Sequence, residues 1–172
     1  MITGTDEGEK MNCIVAADRN WGIGKSGKLL VSIPEDMKFF RKMTTGKTVI
    51  CGRKTLESFP GGKPLPNRRN IILTHQKDFA VPGALVVHTP EEAMKAAADE
   101  KPEDVFVIGG ASVYKQLLPY CDTAYVTKID YAYEADAYFP DLDLAPEWKM
   151  SVRGEEQTCF DLIYEFDTYE RA

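Results

Sequence analysis

The chain of 172 residues has no apolar run approaching the roughly 20 residues that a membrane-spanning helix needs. Its opening residues, MITGTDEGEK, have no apolar centre, which excludes an ordinary secretory signal. They read as a loose leader over residues 1–10, with Met11 a candidate natural start and residues 11–172 one domain. Histidine is scarce: His75 and His88 are the only two. Neither they nor the four cysteines (Cys13, Cys51, Cys121, Cys159) have the spacing of metal ligands, so no metal is expected. The lack of a CxxC pair marks the thiols as reduced, small core residues of a cytoplasmic protein. An excess of positive charge is also missing. The net charge of −6 argues against a nucleic-acid partner, although a local cationic site for a small anion stays open. No internal repeat or low-complexity tract is visible.

What is present is an ordinary globular balance, 44% hydrophobic and 28% charged. A single domain of this length hides roughly 70% of its unfolded surface. Strand-like runs recur at 12–17, 47–51, 70–74, 84–88, 104–109 and 123–129. Several are continuously apolar, as in strands buried on both faces. Helical segments alternate with them at 33–44, 54–59, 90–100 and 111–118, the third opened by the capping sequence Thr89-Pro90-Glu91-Glu92. This alternation predicts an α/β domain with a mostly parallel sheet and helices on both faces. Toward the C-terminus, Phe160, Leu162, Tyr164 and Phe166 alternate with Asp161, Glu165 and Asp167. That period of two predicts a strand with one wet face, and "WKMSVRGEEQ" is its candidate antiparallel neighbour.

Four motifs carry chemistry. Gly22 to Lys28 satisfies G-x-x-x-x-G-K, but Leu29 stands where a nucleotide triphosphatase needs Ser or Thr, and no helix opens there. It reads instead as a mobile glycine-rich loop of the kind that covers sites. In "VICGRKT" a buried strand ends at Gly52 and a helix opens at Arg53, Lys54 and Thr55, which is either a solvated basic turn or an anion site. Lys63, Arg68 and Arg69 follow closely in an otherwise acidic chain and favour the anion. In "VFVIGGASVYKQLL" an apolar strand meets Gly109-Gly110 and then a helix, a turn a ligand can approach closely.

The fourth is Asp36. Ser32, Pro34 and Glu35 announce a helix, Ser32 as cap with Glu35 reaching back. At 100° per residue Ile33, Met37, Phe40 and Met43 share one face, while Glu35, Lys38 and Lys42 share the other. Asp36 falls between Ile33 and Phe40, on the apolar side. A first-turn acid on the wet side would merely complement the helix dipole. A carboxylate in an apolar wall needs a partner, and a ligand with donor groups would supply one.

Taken in order, "IVAAD…GIG", "IPEDMKFFRKMT", "VICGRKTLES", "PLPNRRNIIL", "VFVIGGASVYKQLLP", "YVTKID" and "DAYFPD" resemble the dihydrofolate reductase family from about Met11 to the end of the chain. The resemblance implies NADPH-dependent reduction of 7,8-dihydrofolate to tetrahydrofolate, in support of one-carbon metabolism, with antifolates as inhibitors. A monomer is expected on separate grounds, because no exposed apolar helix face is left unassigned. It makes Asp36 the ionisable residue of the pterin pocket and Thr127 its hydrogen-bond donor. Ile14, Val15, Met37 and Phe40 become pocket-lining, and Arg68, with Lys63 nearby, pairs with the glutamate tail. Arg53 and Thr74, with His75 beside them, would meet the 2′-phosphate of NADPH, while Lys54 and Thr55 would line its pyrophosphate. Further cofactor contacts are implied for Ala16, Ile23, Gly24 and Gly52, and for Ile108, Gly109, Gly110, Ala111, Ser112, Val113 and Tyr114. A cis Gly109-Gly110 peptide is expected.

One departure stands out. Leu30 and Val31 occupy the positions where the family usually has Pro-Trp, so the water structure beside the acid and the antifolate contacts should differ. Two other readings compete: a same-fold pyrimidine reductase of riboflavin synthesis, and a non-catalytic NADP-binding module. Asp36 together with Thr127 favours the pterin.

Overall fold

The computed structural model describes residues 10–172, so all of the expected leader except Lys10 lies outside the described residues. The strands are β1 (Met11–Ala17), β2 (Gly22–Gly24), β3 (Thr48–Gly52), β4 (Arg69–Leu73), β5 (Ala84–Val87), β6 (Val105–Gly109), β7 (Cys121–Ile129), β8 (Ala137–Tyr138), β9 (Trp148–Val152), β10 (Gln157–Cys159) and β11 (Leu162–Arg171). The α-helices are α1 (Pro34–Thr44), α2 (Arg53–Glu57), α3 (Pro90–Ala96) and α4 (Ala111–Leu117). The main sheet runs β10-β11-β7-β1-β6-β3-β4-β5, with β9 also on β11. From β7 to β5 every pairing is parallel, and β11 joins β7 antiparallel, as the alternation of patterns predicts.

The buried runs explain the layering. Alternate residues of β1 face opposite sides of the sheet. Ile14 packs with Val49, Phe106 and the α1 residues Phe39, Phe40 and Met43. Cys13, Val15 and Ala17 face the larger core, with Val113, Tyr114 and Leu117 of α4 and Ala93 and Met94 of α3. Leu56 of α2 packs on Cys51 and Ile72.

Several local expectations are corrected. The N-cap of α1 is Ile33, without a side-chain cap, and Glu35 pairs forward with Lys38 at 3.2 Å instead of reaching back to Ser32. Pro34 at the first position removes one N–H that a cap would serve. At α3 the expected cap forms, Thr89 Oγ1 accepting the Glu92 N–H at 3.0 Å, and the helix stops at Ala96 rather than continuing to 100. The 22–28 loop is half structured, since Gly22–Gly24 pairs antiparallel with β8 and Ser26 N–H reaches Asp136 at 3.0 Å. Phe160 does not belong to the buried side of β11: it sits in the β10–β11 turn at φ 55° and is fully exposed. Asp167, expected on a wet face, is buried.

Candidate active site

α1 crosses the sheet face formed by β1 and β7, whose register places Ala16 beside Thr127. Thr127 is 2% exposed, and its hydroxyl donates to Asp36 Oδ1 at 2.6 Å. Burial lifts the Asp36 carboxyl above the usual carboxylate range, and the Thr127 hydrogen bond pulls partly the other way. Among the described residues no cation pairs with it. The acid therefore stands in a mostly apolar wall with Ile33 and Val31 on one side and Ile14 and Phe40 on the other. Such a half-buried acceptor suits a flat ligand with adjacent N–H donors.

The far end of α1 meets Arg68. Its guanidinium donates to Thr44 Oγ1 at 2.9 Å, to the Pro66 carbonyl at 2.8 Å and to Thr45 Oγ1 at 3.3 Å. It also lies 5.9 Å from the Phe40 ring centroid. Burial, and then the like charge of Arg41, lowers the Arg68 pKa. A cationic end and an anionic end thus flank one apolar strip of helix. Lys63 is exposed, just past the Pro60–Gly62 turn.

On the other side of the crevice β3 and β6 end together, Cys51 beside Gly109. α2 and α4 begin there from Gly52 and Gly110, neither with a side-chain cap. The Gly109-Gly110 peptide is cis. A Cβ on Gly52 would come 3.0 Å from Val113 Cγ2, and one on Gly110 3.4 Å from Thr55 Oγ1. Backbone N–H groups and small residues therefore form a cradle that a larger side chain would fill, which suits a dinucleotide pyrophosphate. Thr74 follows directly on β4, mostly buried, with His75 exposed beside it. Tyr114 ties the cradle to the crevice, its hydroxyl donating to the Ile14 carbonyl at 2.6 Å.

The family model described as dihydrofolate reductase matches residues 10–171. A dihydrofolate reductase of Bacillus subtilis (strain 168) is 41% identical over 160 residues, covering 92% of each chain. One of Neisseria gonorrhoeae is 39% identical over 148 residues, 86% of this chain and 89% of that one. The solved structure of dihydrofolate reductase from Enterococcus faecalis, complexed with NADP(H) and RAB-propyl, superposes with a TM-score of 0.82 at 37% identity, covering 95% of this chain and 96% of that one.

The chain belongs to the dihydrofolate reductase family.

Within that family frame some expected residues converge and others do not. Asp36, Thr127, Ile14 and Phe40 share one wall, and Met37, expected on the apolar face, is 38% exposed. Val15 turns its side chain into the opposite core, so only its backbone can face the crevice, and Ile23 likewise packs into that core. Ala16 packs with Ile33, and Ile108 sits half-buried between the two clusters on the α1 and α2 side. Gly24 is buried in β2; Ala111, Ser112 and Val113 form the first turn of α4. Arg53 is engaged by Glu57 at 2.9 Å, and Lys54 is exposed beside half-buried Thr55. Arg69 leaves the cationic cluster altogether: it donates to the Ala96 carbonyl at 2.8 Å and pairs with Asp99.

Arg41, Thr44 and Thr45 were not singled out from the sequence, yet they set the position and field of Arg68. The available signal was a basic residue and a Thr-Thr pair in the last turn of the helix that carries Asp36.

Proposed function

We infer that this chain transfers hydride from NADPH to C6 of 7,8-dihydrofolate, with protonation at N5, giving tetrahydrofolate. The observation that carries the reading is the Asp36–Thr127 pair: a carboxylate oriented by one hydroxyl, without a cation, in an apolar crevice beside the cradle. Asp36 accepts the pterin's amino group and a ring N–H, holding the ring and making N5 easier to protonate; the proton itself arrives through water. Ile14, Phe40 and Met37 cover the ring, and Arg68 with Lys63 takes the glutamate carboxylates. NADPH supplies the hydride when bound. Gly52, Thr55, Gly109 and Gly110 would hold its pyrophosphate, and Arg53, Thr74 and His75 its 2′-phosphate. The two other readings, pyrimidine reduction and non-catalytic NADP binding, fit the family finding and the Asp36–Thr127 pair less well.

The test follows NADPH absorbance with dihydrofolate as substrate and NADH as control. Turnover with marked NADPH preference is expected, along with an Asp36→Asn variant that loses rate far more than NADPH affinity. Equal loss of both would place Asp36 in folding rather than chemistry. Antifolates should compete with dihydrofolate. We also propose a cytoplasmic monomer without a nucleic-acid partner, the last supported by the net charge of −6. Among the described residues no helix is long and apolar enough to cross a membrane. Sedimentation velocity at micromolar protein checks the monomer.

A further inference from the structure

Among the described residues one buried side-chain oxygen has no hydrogen-bond partner, Asp167 Oδ2. The residue is 2% exposed, and its other oxygen accepts the Gly154 N–H at 3.0 Å. Buried polar atoms are rarely left idle, and a buried anion least of all. Glu165, two residues earlier, lies on the same face of β11, and its carboxyl raises the pKa of Asp167. Its side chain is 14% exposed, and its Oε2 accepts from Arg153 Nε at 3.0 Å. Two ionised carboxylates cannot hydrogen-bond each other. One proton between them gives the idle oxygen a partner and removes the repulsion.

The setting shows what such a bond would hold. The outer edge of β11 pairs with β10 over Leu162–Tyr164 and with β9 over Thr168–Arg171. The stretch between, residues 165–167, is crossed by the turn that joins β9 to β10. That turn lies so close that a Cβ on Gly154 would overlap the Phe166 carbonyl oxygen. The charged groups around the pair come from every neighbouring element. β7 contributes Lys128, opposite Glu165 in register and drawn 3.9 Å over the Trp21 ring. The turn contributes Arg153 and Glu156. The segment after β8 contributes Asp141 and Asp143, the latter accepting from the Tyr169 hydroxyl at 2.7 Å. Asp18, from the β1–β2 connection, is occupied by the N–H groups of Asn20, Gly22 and Tyr133. Among the described residues the one cation bonded to the pair is Arg153, mostly exposed and on Glu165 rather than Asp167.

We propose that Asp167 and Glu165 share one proton in the folded protein, and that this carboxylic acid–carboxylate bond is a pH-sensitive fastening of the β9–β10 turn to β11. Burial, and next the Glu165 carboxyl, raises Asp167 from its ordinary 3.8 to about 6. The folded state therefore binds this proton more tightly than the unfolded chain. The stabilisation is complete below about pH 4, is lost as pH rises through about 6, and stays absent above. Past that point the pair is doubly charged and the turn loosens.

The test combines carboxyl ¹³C titration of the full chain with urea unfolding from about pH 4 to about pH 8 for wild type, Asp167→Asn and Glu165→Gln. Asp167→Asn supplies a permanent N–H donor to Glu165. It should therefore lose less stability than wild type between about pH 4 and about pH 8 and unfold at higher urea than wild type at the alkaline end, with slower Gly154 amide exchange. Glu165→Gln should bring the Asp167 midpoint down by more than a unit. A wild-type Asp167 midpoint near 4, or an Asp167→Asn profile parallel to wild type, overturns the proposal. Should Asp167→Asn fail to fold, the wild-type and Glu165→Gln titrations decide alone.

Discussion

Thr127→Val tests the site at the pair that carries it. Valine has nearly the shape of threonine and suits a buried central strand, so a fully enclosed residue is replaced without a cavity. What is lost is the 2.6 Å donor to Asp36 Oδ1. A hydrogen bond to a charged group is worth about 1.5–3 kcal/mol, and one pKa unit corresponds to about 1.4 kcal/mol. Part of that energy survives on protonation, because the hydroxyl can also accept. The Asp36 pKa should therefore rise further. Burial already holds it above the ordinary carboxylate value, and Thr127 is the group opposing that rise. Two measurements follow. The acidic limb of the kcat/KM profile for dihydrofolate should move to higher pH, with NADPH affinity unchanged. Stability should also diverge with a defined sign. A raised folded-state pKa contributes stability below the unfolded value near 4 and loses it as pH rises through the folded one. The variant should thus lie closer to wild type near pH 4 than at neutral pH, where it falls behind by about 1.5–3 kcal/mol. An unmoved acidic limb, or a stability deficit equal at both pH values, would refute the claim that Thr127 acts on the ionised acid.

Arg68→Leu should raise KM for dihydrofolate by about 10- to 100-fold, the loss of a charge-assisted pair, while a substrate lacking the glutamate tail is unaffected; steady-state kinetics with both substrates checks it. Gly52→Ala places a Cβ 3.0 Å from Val113 Cγ2, so NADPH binding should weaken, and adding Val113→Ala should restore much of it in a calorimetric titration. Glu57→Gln removes the partner that holds Arg53 at 2.9 Å, and NADPH affinity should hold or improve, whereas Arg53→Leu should erase the preference over NADH. Val31 packs with Ile33, Ile129 and Tyr164. Val31→Trp should therefore change both turnover and antifolate affinity, and identical inhibition curves for variant and wild type would remove Val31 from the pocket.

The parallel core was legible because its strands are buried on both faces and carry little but β-branched and other apolar residues, as in "KTVIC" and "NIILT". Asp36 was legible for the opposite reason: a helix with a clear apolar stripe made one charge anomalous. Where reading failed, the decisive contact was remote in sequence. Arg68 and Arg69 are adjacent and alike, yet strand alternation sends them apart, one to the Thr44–Thr45 hydroxyls and the other to the end of α3. Asp167 looked solvent-facing because β11 alternates apolar and acidic residues. Its burial comes from the β9–β10 turn that lies across it, which no period within β11 encodes.

The same strand links the two carboxylates with raised pKa values. In β11, Phe166 faces α1, its ring tilted against that of Phe39 with centroids 4.7 Å apart, and sits in register with Thr127 on β7. Glu165 and Asp167, its neighbours in sequence, face the opposite core. A sheet strand thus presents its donor-supporting aromatic to one layer and its acid pair to the other, and alternation keeps the two protonation events on separate faces. It follows that Asp167→Asn should reduce the pH dependence of stability without displacing the acidic limb of activity, whereas Thr127→Val should displace that limb. If both variants moved the limb together, β11 would be transmitting charge through the sheet, and treating the two acids as independent would be wrong.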